Sequence, residues 1–113
     1  MRKSFDVYSD PGHGWVKVPF QTIVELGLTD EITCFSYQRG GFAYLEEDCD
    51  MSALLIALKA RGVIPKFREH NCRERHSKIR GYTCYTPAVV RNWLKLTAEA
   101  KAIGKNNLQG GRE

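Results

Sequence analysis

Apolar and polar residues alternate with a period of two in several short stretches of the chain, a spacing typical of β-strands with one buried face. Residues 5–10 and 15–18 alternate on either side of an Asp-Pro-Gly sequence, which predicts a strand-loop-strand unit with the Pro-Gly pair in a type II turn. Residues 32–38 and 42–46 alternate around Gln-Arg-Gly-Gly and predict a β-hairpin.

Two later stretches have weaker strand patterns. Residues 63–70 predict a short strand, and Pro65 favours a place at the edge of a sheet or at the start of the strand. Residues 78–85 alternate imperfectly and are expected to pair with it, across a polar loop at 71–78.

A period near 3.6 replaces the alternation in three other stretches and predicts helices. Pro19 and Gly27 have the residue types that begin and end a short first helix. The second helix begins after an N-cap at Asp48 or Asp50 and ends at Gly62. Its apolar face contains Met51, Leu54, Leu55 and Leu58.

The third helix has the clearest signals, with Thr86 as N-cap, Pro87 in the first turn and Gly104 at its end. Its apolar positions are Val89, Trp93, Leu96, Ala100 and Ile103. The order of elements predicts one α+β domain over 1–104, with a mainly antiparallel sheet, about three helices and the last helix C-terminal. Residues 105–113 are expected to form a flexible polar tail.

The length of 113 residues suits one domain, and no apolar run approaches the ~18 residues of a membrane span. The first residues lack the apolar core of a secretory signal, so we expect a cytoplasmic protein that does not engage a membrane. In that compartment thiols stay reduced. We therefore expect no disulfide among Cys34, Cys49, Cys72 and Cys84.

The positive charge is concentrated in one segment. Residues 66–80 hold six of the 17 Lys/Arg and only two of the 13 Asp/Glu, which accounts for the whole net charge of +4. Such a segment binds phosphates or carboxylates, although charge runs are commonly only solvated loops. The candidate binding residues are Lys66, Arg68, Arg73, Arg75, Lys78, Arg80 and Tyr82, with Tyr85 beside them.

His13 lies between two glycines in the sequence Asp-Pro-Gly-His-Gly. It is a candidate acid/base or binding residue, and we include it among the binding candidates. The alternative is a tight turn in which the glycines supply positive φ and the imidazole faces water. A catalytic role needs a partner, for which Glu46, Glu47, Asp48 and Asp50 are the candidates.

Metal and cofactor signals are weak. The four carboxylates could hold Mg²⁺ or Ca²⁺, but they lack the EF-hand spacing and equally suit a solvated helix N-terminus. A zinc-type group with unusual spacing is formed by His70, Cys72, His76 and Cys84. Phosphate-loop, dinucleotide and nucleophile-elbow motifs are missing from the sequence, so we expect no cofactor, no metal and no catalytic residue.

Three segments together resemble a family of small proteins carried by bacteriophages and plasmids. They are YSDPGHGWVKV, SYQRGGFAYLEEDCD and SKIRGY, and the resemblance covers roughly residues 5–85. It implies a small accessory protein of a mobile genetic element in a bacterial host, and proteins of this kind often bind host or viral components.

These observations favour a non-enzymatic protein that binds a host protein or a protein–nucleic acid complex through residues 66–80. The most specific version of this hypothesis is an inhibitor of a host defence system such as CRISPR or restriction. One alternative is a nucleic-acid-binding module that uses the same arginines and nearby tyrosines. Another is a small enzyme that uses His13 with carboxylates of residues 46–50, which requires these groups to meet in one cleft.

Overall fold

The computed structural model describes residues 1–73 and 75–111, with the backbone alone from residue 104 onward. This part of the chain forms one six-stranded sheet with three helices and a 3₁₀ turn, which confirms the predicted α+β class. The strands are β1 (Ser4–Ser9), β2 (Gly14–Pro19), β3 (Tyr37–Arg39), β4 (Phe42–Glu46), β5 (Lys66–Asn71) and β6 (Thr83–Cys84). The helices are α1 (Phe20–Glu25), α2 (Met51–Ala60) and the C-terminal α3 (Pro87–Gly111), and the 3₁₀ turn is Lys78–Gly81.

The strand order is β5-β1-β2-β4-β3-β6. Only the β1–β5 pair is parallel among these strands, so the sheet is mainly antiparallel, as predicted. The predicted pairing of 63–70 with 78–85 is wrong, because β5 and β6 occupy opposite edges. Phe67 of β5 packs its ring against Phe5 of β1, with 6.3 Å between ring centroids, and this apolar contact joins β5 to β1.

All three helices contribute to a core on one face of the sheet. The alternation of the strands directs every second side chain to this face, as their sequence patterns predict. Each buried Leu or Ile here contributes about 1.5–3 kcal/mol to the free energy of unfolding. The core contains Phe5, Val16, Val18, Ala43 and Leu45 from the strands, and Ile23, Leu54, Leu58 and Val90 from the helices.

The opposite face, here called the open face, has a smaller apolar cluster. The segment 77–82, which includes the 3₁₀ turn, packs onto it and buries Ile79 against Trp15 and Tyr44. The rings that remain half-buried around this cluster are Tyr8, Tyr37, Phe42 and Tyr82. Apart from the segment 77–82, no helical element covers these rings within the described residues, so the open face is where side chains of the sheet can meet a ligand.

The predicted hairpin forms, but its first strand is shorter than predicted. Gly40 and Gly41 have φ of 59° and 85°, as a two-residue type I′ turn requires, and the second strand matches the prediction. The first strand begins at Tyr37 because the preceding residues bend toward the carboxylate of Asp50. Thr33 Oγ1 donates a hydrogen bond to Asp50 at 2.8 Å, and the Ser36 hydroxyl donates another.

The helix predictions hold at their starts. Thr86 Oγ1 accepts a hydrogen bond from the Val89 N–H at 3.3 Å, which confirms it as the N-cap of α3. Asp50 lies at the N-cap position of α2, but its side chain makes no capping hydrogen bond because it faces Thr33.

The predicted end of α3 at Gly104 is wrong, because the helix runs on to Gly111. A single glycine costs a helix only about 1 kcal/mol. The polar tail predicted for 105–113 includes 112–113, which lie outside the described residues, and side chains from 104 onward are not described. The flexible tail therefore stays a prediction.

Candidate binding pocket and open sheet face

Four separate segments meet at one end of the open face. They are the loop between β1 and β2, the start of β3 with the loop before it, the end of β4 with the turn that follows it, and the segment around the 3₁₀ turn. Between them lies a pocket of about 300 Å³. It is lined by His13, Trp15, Phe35, Tyr37, Glu46, Asp48, Cys49 and Arg80. His13 therefore lies in the same pocket as Glu46 and Asp48 of the acidic stretch. Arg80, the last arginine of the basic segment, lines this pocket as well.

The carboxylate of Asp10 holds this end of the molecule together. Its side chain is fully buried. The N–H groups of Gly12 and His13 donate to Oδ1 at 3.0 Å, and the Ser77 N–H donates to Oδ2 at 2.8 Å. Arg80 completes the set with Nε at 2.7 Å and Nη2 at 2.8 Å. Mainly because of Arg80, and against the effect of burial, the pKa of Asp10 lies well below its usual range.

The two glycines around His13 provide space and not positive φ, contrary to the sequence prediction. Neither is among the positive-φ glycines, which also excludes the predicted type II turn. A Cβ on Gly12 would lie 2.9 Å from Arg80 Nη2. One on Gly14 would lie 2.8 Å from a carboxylate oxygen of Glu47. The missing side chains let Arg80 reach Asp10 and let Glu47 lie over the strand.

His13 has a side-chain partner, Glu46, that comes from a distant part of the sequence. Its Nδ1 lies 3.2 Å from Glu46 Oε1, and its side chain is 45% exposed. The other oxygen of Glu46 accepts the N–H groups of Asp48 at 2.8 Å and Cys49 at 2.9 Å. Burial raises the pKa of Glu46, but the hydrogen bonds from His13 and the turn outweigh it and lower the pKa overall. Glu46 is therefore a fixed anion at neutral pH.

Aromatic rings form the rest of the pocket. Trp15 is buried, and its Nε1 is the buried side-chain nitrogen that has no hydrogen-bond partner among the described residues. Its ring packs against that of Tyr37, with 6.3 Å between the ring centroids. The Arg80 guanidinium carbon lies over the Trp15 ring, 5.7 Å from its centroid. Phe35 stands at the pocket with 65% of its surface exposed. The pocket thus combines an imidazole, two carboxylates, a paired arginine and apolar walls.

The basic segment begins on the open face of β5, where register places Lys66 and Arg68 beside Ser4 and Asp6. Arg68 Nε donates to Asp6 at 2.7 Å, and His70 Nε2 lies 3.0 Å from the same oxygen. These two hydrogen bonds lower the pKa of Asp6 to about 2, and the one from Arg68 has the larger effect. The strand therefore presents one free lysine beside a charge-neutralised arginine.

The rest of the basic segment divides between solvent and the pocket. Arg73, Arg75 and Lys78 are exposed, whereas Arg80 is held by Asp10. Tyr82 is half-buried, with Arg39 at 5.0 Å from its ring. Tyr85, which the sequence places beside the patch, lies in the core and donates its hydroxyl to the Thr29 carbonyl at 2.6 Å.

The strand register arranges the open face in rows that cross the sheet. Paired residues point to the same side of a sheet, so these rows follow directly from the pairing. The first row contains His70, Tyr8, Trp15 and Glu46. The second contains Arg68, Asp6, Lys17, Tyr44 and Tyr37. Lys17 also lies over the Phe42 ring at 4.2 Å. Cationic and aromatic side chains therefore lie together on this face, which also carries the carboxylates of Asp6 and Glu46.

The zinc-type group suggested by the sequence does not assemble. His70 is on β5 and Cys84 is on β6, at opposite edges of six strands that lie about 4.8 Å apart from one to the next. One ion cannot reach both. The four cysteines, all within the described residues, are free, as predicted.

Sequence reasoning found His13 and the acidic stretch of the pocket, but it missed Asp10 and Trp15 as parts of the site. A signal was present for Asp10, since an acid between a strand and a Pro-Gly turn commonly accepts backbone N–H groups. Nothing in the sequence shows that these N–H groups share the carboxylate with Arg80.

None of the helices in the described part of the chain combines the length and apolar character that crossing a bilayer requires. Comparisons of the chain with protein-family models, curated proteins and solved structures found no match.

Proposed function

We propose that this protein binds single-stranded nucleic acid across its open face. The observation that carries the proposal is the presence of cationic side chains beside aromatic rings on the sheet face that none of the described α-helices covers. Proteins that bind single strands combine positive charge along the backbone with rings on which bases stack, each stacked base contributing about 1–3 kcal/mol. Both features are present on this face.

Further cationic side chains lie on the sheet and in the segments beside it. Arg39, Lys66 and Lys78 are exposed, and Arg73 and Arg75 project from the loop after β5. None of these five side chains makes an ion pair within the described residues, so they are available to phosphates. Arg68 and Arg80 differ, because Asp6 and Asp10 already neutralise them.

The aromatic side chains favour nucleic acid over an acidic protein surface. Arginine and lysine serve both partners equally. Half-buried rings on the sheet offer stacking surfaces that carboxylates do not use, and Phe35 adds an exposed ring beside the pocket. An acidic host protein remains the alternative that the experiment below distinguishes.

The first prediction concerns charge reversal on the loop. The triple variant Arg73→Glu, Arg75→Glu, Lys78→Glu should bind a labelled single strand of about 15 nucleotides at least about 10-fold more weakly than wild type. Fluorescence anisotropy measures this, and wild-type affinity should fall steeply between about 50 and about 200 mM salt.

The matched control reverses Lys59 and Arg61, which are exposed at the end of α2, on the helix-covered side. It should leave the affinity within about twofold of wild type, because long-range charge effects are screened in salt. Equal losses in both variants, or no wild-type binding at low salt, would refute the proposal. Capture of an acidic protein without oligonucleotide binding would support the other partner class.

The role in a phage or plasmid, and the inhibition of a CRISPR or restriction system, stay predictions. Binding of single-stranded nucleic acid is compatible with such a role, since defence complexes expose single strands. A basic surface on the open face supports the general form of this prediction, which is engagement of a host macromolecule through residues 66–80.

The enzyme alternative also stays a prediction, and one observation favours it. His13 and the ionised Glu46 meet at 3.2 Å in a pocket, which is the convergence that this alternative requires. On this alternative, wild-type protein should cleave the bound oligonucleotide and the His13→Gln variant should not. Gel analysis of an end-labelled strand tests it, and an intact strand after long incubation counts against it.

A further inference from the structure

We propose that His13, Glu46 and Asp48 bind a divalent transition-metal ion such as Mn²⁺, independently of the proposed function. These residues offer an imidazole nitrogen and two carboxylates, and their ligand atoms lie within 4.8 Å of one another. Imidazole together with carboxylates suits first-row transition ions, whereas Mg²⁺ and Ca²⁺ prefer oxygen alone.

The distance between the first two ligand atoms fits a shared ion. Nδ1 of His13 and Oε1 of Glu46 are 3.2 Å apart. Two ligands of one ion, each about 2.0–2.2 Å from it, lie about 3.0–3.5 Å from each other in octahedral or tetrahedral geometry. Only the exposed Asp48 side chain has to approach, and it lies at the start of the turn that Glu46 organises.

The surroundings hold the ligands in place before an ion arrives. Glu46 ends β4, and its Oε2 accepts two N–H groups of the following turn, so Oε1 remains directed at His13. The backbone N–H of His13 is held by Asp10. Hydrogen bonds of this kind orient metal ligands and strengthen binding.

The charge balance also favours a cation. Glu46 and Asp48 each place a carboxylate in this pocket. Arg80 lines the same pocket, but Asp10 binds two of its nitrogens and compensates its charge. Two carboxylates and the imidazole of His13 therefore face the pocket.

A separate observation points to a ligand in this pocket. The indole of Trp15 is one of its walls, and Trp15 Nε1 is buried without a hydrogen-bond partner among the described residues. An unpaired buried donor is costly, typically about 1–3 kcal/mol. An oxygen on the bound ion, from water or from an oxyanion, would supply the missing acceptor after a shift of the indole that exposes Nε1, which is buried in this structure. Three protein ligands leave such positions free, as in catalytic metal sites.

An ion bound here changes the chemistry of the site. His13 would act as a ligand and not as a general base. The ion would instead lower the pKa of bound water or polarise a bound oxyanion. The space of about 300 Å³ in front of it accommodates a small phosphate or carboxylate group.

The test titrates the full chain with Mn²⁺ and follows the EPR signal of the free ion. Mn²⁺ is the probe because the four free thiols prefer softer ions such as Zn²⁺. One ion should bind per chain. His13→Gln and Asp48→Asn, both at exposed residues, should each weaken binding by at least about 10-fold. Glu46→Gln should do the same.

The control is His70→Gln. His70 also lies beside a carboxylate, with Nε2 at 3.0 Å from Asp6, but this pair forms no three-ligand group in the described chain. This variant should bind Mn²⁺ like wild type. NMR adds a second readout, since the Trp15 indole signal should broaden at lower Mn²⁺ than that of Trp93, which packs against Phe20 in the helix layer.

Three outcomes would overturn the proposal. They are no binding of Mn²⁺ by the wild-type chain, unchanged binding in both His13→Gln and Asp48→Asn, or an equal loss in His70→Gln. Oligonucleotide binding is absent from this assay, so its result is separate from that of the proposed function.

Discussion

Replacing Asp10 by Ala should lower the free energy of unfolding by about 4 kcal/mol, as expected when one partner of a buried ion pair is removed. The carboxylate is fully buried and accepts five hydrogen bonds from Gly12, His13, Ser77 and Arg80. Its loss leaves these donors without an acceptor and Arg80 without its counter-charge. Domains of this size are stabilised by only about 5–15 kcal/mol, so the effect is large.

Urea denaturation followed by circular dichroism measures the change. The matched control is Asp30→Ala, since Asp30 also pairs with an arginine, Arg91, but at the surface with 66% of its side chain exposed. Exposed pairs contribute little, so this control should unfold like wild type. Similar stabilities for the Asp10 variant and the control would show that the hydrogen-bond network around Asp10 is not needed for the fold.

The same carboxylate should make stability depend on pH in the acid range. In the unfolded chain Asp10 has a pKa of 3.8, and in the folded chain its pKa is far lower. Its contribution is therefore complete above about pH 5 and is lost as pH falls below about 4. Asp6, with a folded pKa of about 2, adds to the same trend. In Asp10→Asn the unfolding free energy should depend less on pH between about 4 and 2.

Replacing Asp50 by Ala should lower the free energy of unfolding by about 3 kcal/mol, because several buried hydrogen bonds lose their acceptor. Asp50 accepts the N–H and hydroxyl of Thr33, at 3.1 and 2.8 Å, and the hydroxyl of Ser36. Ser36 in turn accepts the Glu46 N–H at 2.9 Å. Asp50 therefore connects the loop that carries Phe35 to the strand that carries Glu46.

The neighbouring variant Asp48→Ala is a control that should affect metal binding and not stability. Asp48 is exposed, so its replacement should leave thermal stability unchanged while weakening Mn²⁺ binding. Asp50→Ala should lower the melting temperature, which differential scanning fluorimetry measures, and should disturb the NMR signals of Phe35. Equal melting temperatures for Asp50→Ala and wild type would contradict this assignment.

Local patterns in the sequence were enough to identify most elements. The Gly-Gly turn at 40–41, the helix after Asp50 and the Thr86-Pro87 helix start all follow from interactions within a few residues of the chain. The α+β class follows from their order. The first strand of the hairpin was predicted too long because a distant carboxylate, that of Asp50, competes for Thr33 and Ser36.

The arrangement of the sheet depends on tertiary contacts. The segments after α2 and after the basic loop were expected to pair because they are neighbours in the sequence. They lie at opposite edges, since packing of Phe67 on Phe5 draws one of them to β1 while β3 pairs with the other. The same separation removes the zinc group that spacing alone suggested.

For the site, the sequence by itself determined which chemical groups are available: a histidine between glycines, an acidic stretch and one basic segment. Only the tertiary structure decided that His13, Glu46 and Arg80 share a pocket, because contacts between residues more than thirty positions apart depend on strand order and register. The structure also revises the role of the glycines around His13, which the sequence suggested as positions of positive φ. They leave room for the side-chain ends of Arg80 and Glu47, which a local reading of turn residues cannot reveal.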